Sequence, residues 1–112
     1  MKIQGQKFTN SATCHGVSFS VSDSPVDLAE ITIEGWYPEV GWARNLEVHE
    51  MVCVVQGRGS LLLRDGETTE LAEGDVVHVP AGEWFAWRGD MRILMACSPA
   101  FSPEQYETEE VK

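Results

Sequence analysis

The stretch Gly74-Asp75-Val76-Val77-His78-Val79-Pro80-Ala81-Gly82 decides how this chain reads, together with Glu50-Met51-Val52-Cys53-Val54-Val55-Gln56-Gly57 upstream of it. Each is a run of apolar, mostly β-branched residues closed by glycine or proline, the make-up of a short strand ending in a turn. The rest of the chain follows the same pattern. Val17 to Val21 alternates apolar and polar residues with period two until Ser22-Asp23-Ser24-Pro25 breaks it. Leu28 to Ile33 reads as a strand with Ile31 and Ile33 on one face, and Gly35 to Gly41 as a loop carrying Trp36 and Tyr37. Val48 to Gln56 is a long apolar strand expected to end in a tight turn at Gly57-Arg58-Gly59. Asp65-Gly66, set between two strand-like runs, predicts a hairpin with a type I′ turn. Val76 to Val79, Trp84 to Trp87 and Arg92 to Cys97 complete the set, and the one helical signal is a single turn after Ser102-Pro103. Many short strands with Gly and Pro turns mean a sandwich or a barrel. The fold class is all-β.

At 112 residues the chain reads as one domain, residues 1–112, with its core at about residues 8–102 and loose ends. Its 43% hydrophobic and 23% charged content is that of an ordinary soluble protein. No apolar run approaches the roughly 18 residues that cross a bilayer. Met1 to Lys7 is too polar for the apolar part of a secretory signal, so the expected location is the cytoplasm. A formal net charge of −10 argues against nucleic acid or an anionic membrane as partner, because phosphate binding needs clustered Lys and Arg. Much of that charge lies in the tail at Glu104, Glu107, Glu109 and Glu110, where it serves solubility. Cys14, Cys53 and Cys97 form no C-x-x-C pair and suggest neither a zinc knuckle nor a redox site; they are expected as free, buried thiols.

The two stretches quoted first resemble the signature motifs of the cupin family, which read roughly G-x5-H-x-H-x3,4-E-x6-G and G-x5-P-x-G-x2-H-x3-N. Glu50 and Gly57 fit the first frame, and Gly74, Pro80 and Gly82 fit the second. The metal-binding histidines do not appear. Counting back from Glu50, their pair falls on Arg44 and Leu46 or on Ala43 and Asn45; the histidine of the second motif falls on Phe85 and its asparagine on Gly89. Trp87 and the ending Cys97 to Tyr106 are similar to small bacterial cupins related to ethanolamine-utilisation proteins and ureidoglycine aminohydrolase. The resemblance implies a cupin-type double-stranded β-helix, a jelly-roll barrel, that keeps its frame without most of its metal ligands. It also implies a homodimer, since small cupins commonly pair through their outer sheets.

Several residues are candidates for chemistry. Glu50 stands where the family's glutamate ligand stands; a buried carboxylate there must be paired, protonated or bound, while one at the barrel mouth binds solvent or an arginine. His49 is adjacent, so alternation sends it to the opposite face. His78 either faces the cavity or packs as a hydrogen-bonded core residue, and His15 beside Cys14 is read as coincidence. Phe85 and Trp87 share a face and make the cavity dry and aromatic, suited to a planar or sugar-like ligand. The alternative is that they only fill the barrel. Trp36, Tyr37 and Trp42 stand ready to close its mouth. Arg44 either points inward, to pair with Glu50 or clamp an anionic ligand, or lies exposed. The expected pocket is therefore Tyr37, Arg44, Glu50, His78, Phe85 and Trp87.

A mononuclear metal needs three or four converging N, O or S ligands, and no histidine stands at a family ligand position. The expectation is no cofactor, with His49, Glu50 and His78 as the fallback donors for a divalent metal. Four functions fit: a metal-free barrel binding a small organic ligand, which leads; a metal-free acid–base enzyme of the isomerase or epimerase type using Glu50 and His78; a metal enzyme with atypical ligands; and a scaffold with a solid core.

Overall fold

The computed structural model describes residues 1–109, and Glu110 of the acidic tail lies outside them. Among the described residues nine strands follow one another: β1 Gln6–Ser11, β2 Cys14–Phe19, β3 Asp27–Tyr37, β4 Trp42–Asn45, β5 His49–Leu63, β6 Thr68–Ala72, β7 Val76–Val79, β8 Phe85–Ser98 and β9 Tyr106–Glu109. The helical turn expected after Ser102 is a 3-10 turn at Pro103–Gln105. No helix among the described residues is long and apolar enough to cross a membrane.

The long strand β8 is the spine. β3 pairs antiparallel along one edge, from Asp27↔Cys97 to Tyr37↔Trp87. β5 pairs along the other, from His49↔Ser98 to Leu63↔Phe85. β2 and β1 extend the β3 side, while β7 and then β6 cover successive parts of the free edge of β5. The sheet curls, so alternate residues of the spine face one interior. Phe85, Trp87, Met91, Ile93, Met95 and Cys97 of β8 meet Ile31 and Ile33 of β3 and Val52 and Val54 of β5 there. This apolar lining drives the curl, because each inward residue removes its surface from water.

Two local expectations change. The Gly57-Arg58-Gly59 segment is not a turn; β5 runs straight through it to Leu63. The glycine has another purpose. β5 carries an irregularity between Val54 and Gln56 that lets the strand bend. Gly57 then lies so close to β8 that a Cβ on it would stand 2.2 Å from the Asp90 carbonyl oxygen. At Asp65-Gly66 the hairpin forms, but not with a type I′ turn: only Gly66 has positive φ, while Asp65 does not. Gly66 N–H donates to Leu63 O at 2.9 Å and Leu63 N–H to Glu67 O at 2.8 Å, the three-residue loop that ends in a left-handed glycine.

The C-terminal segment also differs from expectation. Rather than trailing loose after residue 102, β9 pairs with β4 from Trp42↔Glu109 to Asn45↔Tyr106. Arg44 Nη2 meets Glu107 Oε1 at 2.7 Å, and Arg64 Nη1 meets Glu109 Oε2 at 2.5 Å. Glutamates read as solubilising charge thus fasten the last strand.

Candidate functional site

The stretch Gly74 to Gly82 builds the site by fastening three strands. In the turn before β7, Asp75 Oδ2 accepts from Ala72 N–H at 2.8 Å, while Gly74 N–H donates to Val54 O at 2.8 Å. After β7, Gly82 N–H donates to Asn45 O at 2.7 Å and ties the Pro80–Gly82 turn to β4. That contact fixes the backbone of β4 beside β5, where Glu50 is paired on both sides, with Val79 of β7 and Cys97 of β8.

β4 alternates half-buried Trp42 and Arg44 with buried Ala43 and Asn45. This settles which register the first motif takes: the positions of the missing histidines are Ala43 and Asn45. Arg44 therefore points away from Glu50, a correction to its place in the expected pocket. It lies on the ring of Trp84 at 4.4 Å and binds Glu107, so the barrel interior loses its candidate cation. Alternation along a strand is the physical cause.

Glu50 is only 4% exposed. Its Oε2 accepts from Asn45 Nδ2 at 3.0 Å, whereas Oε1 is buried with no hydrogen-bond partner among the described residues. Burial pushes its carboxyl from an ordinary 4.5 up to about 7, with the Asn45 bond opposing the shift and Asp27 adding to it. Asn45 Oδ1 in turn accepts from Gln105 Nε2 at 2.8 Å, and Gln105 Oε1 accepts from the backbone N–H groups of Glu47 and Val48 at 3.1 and 3.2 Å.

Glu50 lines a cavity of about 560 Å³ between the curled sheet and the first strands. Tyr37, Phe85, Trp87 and Tyr106 share the lining, with Phe8 and Phe101 farther round and Ser18, Ser20 and Ser22 among its polar residues. Tyr37 Oη and Tyr106 Oη are 2.6 Å apart. Burial raises both phenols, with their shared bond lowering Tyr37. It also raises Cys14 to about 11 and lifts Cys97, so these are neutral thiols rather than nucleophiles. Glu50 is a lining group whose charge changes near neutrality. Among the described residues no Lys, Arg or His belongs to the lining.

Of the six expected pocket residues, Tyr37, Glu50, Phe85 and Trp87 line the cavity and Arg44 and His78 do not. His78 lies exposed on the outer face of β7, where its Nε2 is 3.2 Å from Nδ1 of His49. Alternation puts both rings on the face opposite Glu50, so Glu50 and His78 cannot act as one acid–base pair and the fallback set of His49, Glu50 and His78 does not converge. His15 binds Glu34 at 3.0 Å on the surface. Trp36 lies outside under Arg88 and Trp42 lies on the outward face of β4, so Tyr37 alone of the three aromatics reaches the cavity. Three residues of the site were missed: Asn45 as a partner of Glu50, and Gln105 and Tyr106 in the supposedly loose end. The signal for the last was an aromatic pair, Phe101 and Tyr106, in an otherwise acidic tail; their rings pack edge to face at 5.7 Å.

The geometry also tests the metal that the first motif implies. Ala43 and Phe85 carry no donor, the Asn45 side chain is consumed by Glu50 and Gln105, and Glu50 alone keeps a free oxygen. No three His, Cys, Asp or Glu among the described residues converge as a metal site. The residues at the family's metal position do not fit a metal.

Comparison with known proteins agrees with this architecture. The family profile described as Cupin domain matches residues 39–97, and the chain belongs to the cupin family. Its fold is a single-domain cupin β-barrel. Among solved structures it is similar to Pac13 of Streptomyces, described as a unique nucleoside dehydratase, with TM-score 0.86 and 18% identity over 98% of this chain and 91% of that one. Ectoine synthase from P. lautus follows at TM-score 0.70 and 15% identity, covering 93% and 81% of the two chains. KdgF from Halomonas sp. gives 0.68 and 18%, covering 84% and 87%. At these identities the likeness is one of fold. No curated protein matches the sequence.

Proposed function

We propose that this chain is a metal-free cupin that takes a small, non-anionic, partly apolar organic molecule into the cavity and exchanges a proton with it through Glu50. The observation that carries this is the Glu50 Oε1 atom, buried without a hydrogen-bond partner among the described residues, on a side chain that lines the cavity. An orphaned buried oxygen is costly, and a ligand hydroxyl or amine hydrogen-bonded to it removes the cost. A carboxyl held at about 7 is suited to both giving and taking a proton near neutral pH. That the ligand is not an anion is supported by the lining: with Asp27 and Glu50 but no Lys, Arg or His among its described residues, a phosphate or carboxylate would be buried unpaired. Aromatic walls and nearby serine hydroxyls suit a molecule with a planar part and several hydroxyls. Pac13 is described as a nucleoside dehydratase and has structures with uridine, which makes nucleosides a sensible first class to try.

Calorimetry and thermal shift with nucleosides, neutral sugars, nucleotides, carboxylates and amines test the reading. Binding of neutral members, with the matching nucleotide rejected, is expected; preference for an anion would overturn it. The leading expectation from sequence, binding without turnover, is separated by Glu50→Gln once a ligand is known. Lost turnover with binding retained means proton transfer, and equal binding in both proteins with no product means a carrier. A homodimer belongs to the same proposal. Met51 and Val76 stand 55 and 60% exposed on the outer face of the sheet, an apolar surface for a second copy, and sedimentation equilibrium checks it.

A further inference from the structure

The hydrogen bonds behind Glu50 run in one direction only, and two backbone groups set that direction. The N–H groups of Glu47 and Val48 can donate but never accept. Both point at one atom of Gln105, which must therefore be its carbonyl oxygen Oε1. Its amide nitrogen Nε2 is left to face Asn45 at 2.8 Å, so the Asn45 atom there must be the acceptor Oδ1. Asn45 then has only its Nδ2 to offer Glu50, and donates to Oε2 at 3.0 Å. The orientation of both amides follows from donors that cannot be reversed.

We infer that Gln105 and Asn45 are positioning residues that confine the exchangeable proton of Glu50 to Oε1, the buried oxygen with no partner among the described residues. A proton on Oε2 would turn the oxygen that accepts from Asn45 into a hydroxyl, a weaker acceptor, whereas a proton on Oε1 leaves that bond intact. Neutral Glu50 thus carries its O–H on Oε1, and ionised Glu50 offers a lone pair from the same atom. The proton passes between Oε1 and the bound molecule, with no side chain in between. The inference rests on the reading of Glu50 as the group serving the cavity. It gives the last segment of the chain a role beyond closing the barrel, since Gln105 lies in the 3-10 turn that leads into β9.

Asp27, Cys14, Cys97, Tyr37 and Tyr106 are the other titratable groups that interact with Glu50 or feel its charge, and the variants below leave all of them in place. Two measurements test the inference without any ligand, so they stand apart from whether the cavity's molecule is ever found. Neutron diffraction of the wild-type protein at a pH well below the Glu50 midpoint should show deuterium on Oε1 and none on Oε2. Deuterium on Oε2, or shared between the two, would overturn the inference.

Carbon-13 titration of Glu50 by nuclear magnetic resonance is the second measurement. Asn45→Leu removes the donor to the ionised form and should raise the midpoint by roughly one to two units, the size of one hydrogen bond to a charged group. Gln105→Leu leaves Asn45 free to turn its Oδ1 toward the protonated acid and should also raise the midpoint. A purely structural role for Gln105 would lower the melting temperature and leave that midpoint where it is. An unchanged midpoint in a folded Gln105→Leu protein would therefore sink the assignment of Gln105.

Discussion

Asn45 and Glu50 lie side by side on the inner wall, joined by a 3.0 Å hydrogen bond from the amide to the carboxyl. In the cupin motif the first of these positions belongs to a histidine and the second to a glutamate on the same metal. Here the pair has become a donor and an acid. The exchange replaces a metal's demand for an ionised ligand with an environment in which burial favours the protonated form. Every consequence below comes from that local change or from the frame that holds it.

Stability should fall as pH rises through the range in which folded Glu50 keeps a proton that the unfolded chain has lost. Its carboxyl is raised from 4.5 to about 7, so its favourable contribution is complete below about 4.5 and is lost as pH climbs through about 7. The whole span is on the order of 3 kcal/mol. Glu50→Gln removes this slope. Urea unfolding should show the variant gaining on the wild-type protein between pH 5 and pH 8 by about that amount. Parallel stability curves for the two proteins would refute the raised carboxyl.

Metal retention should be absent at the cavity. After incubation with zinc, nickel, manganese or iron and desalting, mass spectrometry should find no stoichiometric ion that depends on Glu50. Phe85→His should not restore one, because a carboxylate and a single imidazole fall short of three converging donors. One equivalent of metal in the wild-type protein, lost in Glu50→Gln, would reverse this conclusion.

Gly57→Ala and Gly66→Ala should differ sharply, although both glycines have positive φ. A Cβ at Gly66 meets nothing within 4 Å, so the change costs about 1 kcal/mol of backbone strain. A Cβ at Gly57 would stand 2.2 Å from a backbone oxygen of β8, so the central strands must separate. Chemical denaturation should show a loss several times larger at Gly57, or a protein that fails to fold. Equal losses would mean that β5 and β8 give way easily at the bend.

Tyr106→Phe removes the 2.6 Å bond to Tyr37 and leaves a half-buried hydroxyl without its partner. The expected cost is about 1 to 2 kcal/mol in unfolding free energy. The Tyr37 phenol should titrate higher still, because the bond from Tyr106 is what opposes its burial. Ultraviolet titration reads this directly, and a fall in the Tyr37 midpoint would contradict the paired geometry.

Sequence alone determined what depends on neighbours along the chain. Strand-forming runs, the Gly74 to Gly82 frame and the opposite facing of His49 and Glu50 all follow from local composition and the two-residue period of a strand. Only the tertiary structure chose between the two registers before Glu50, because shifting a strand by one residue exchanges its inner and outer faces. Arg44 went outward and Asn45 inward for that reason, and the loop between them and Glu50 carries no local signal for it. Gly57-Arg58-Gly59 looked like a turn because its real constraint, the backbone of β8 at Asp90, is distant in sequence. Gln105 and Tyr106 were hidden the same way: their partners are Asn45 and Tyr37, some sixty and seventy residues earlier, and only the curl of the sheet brings them together.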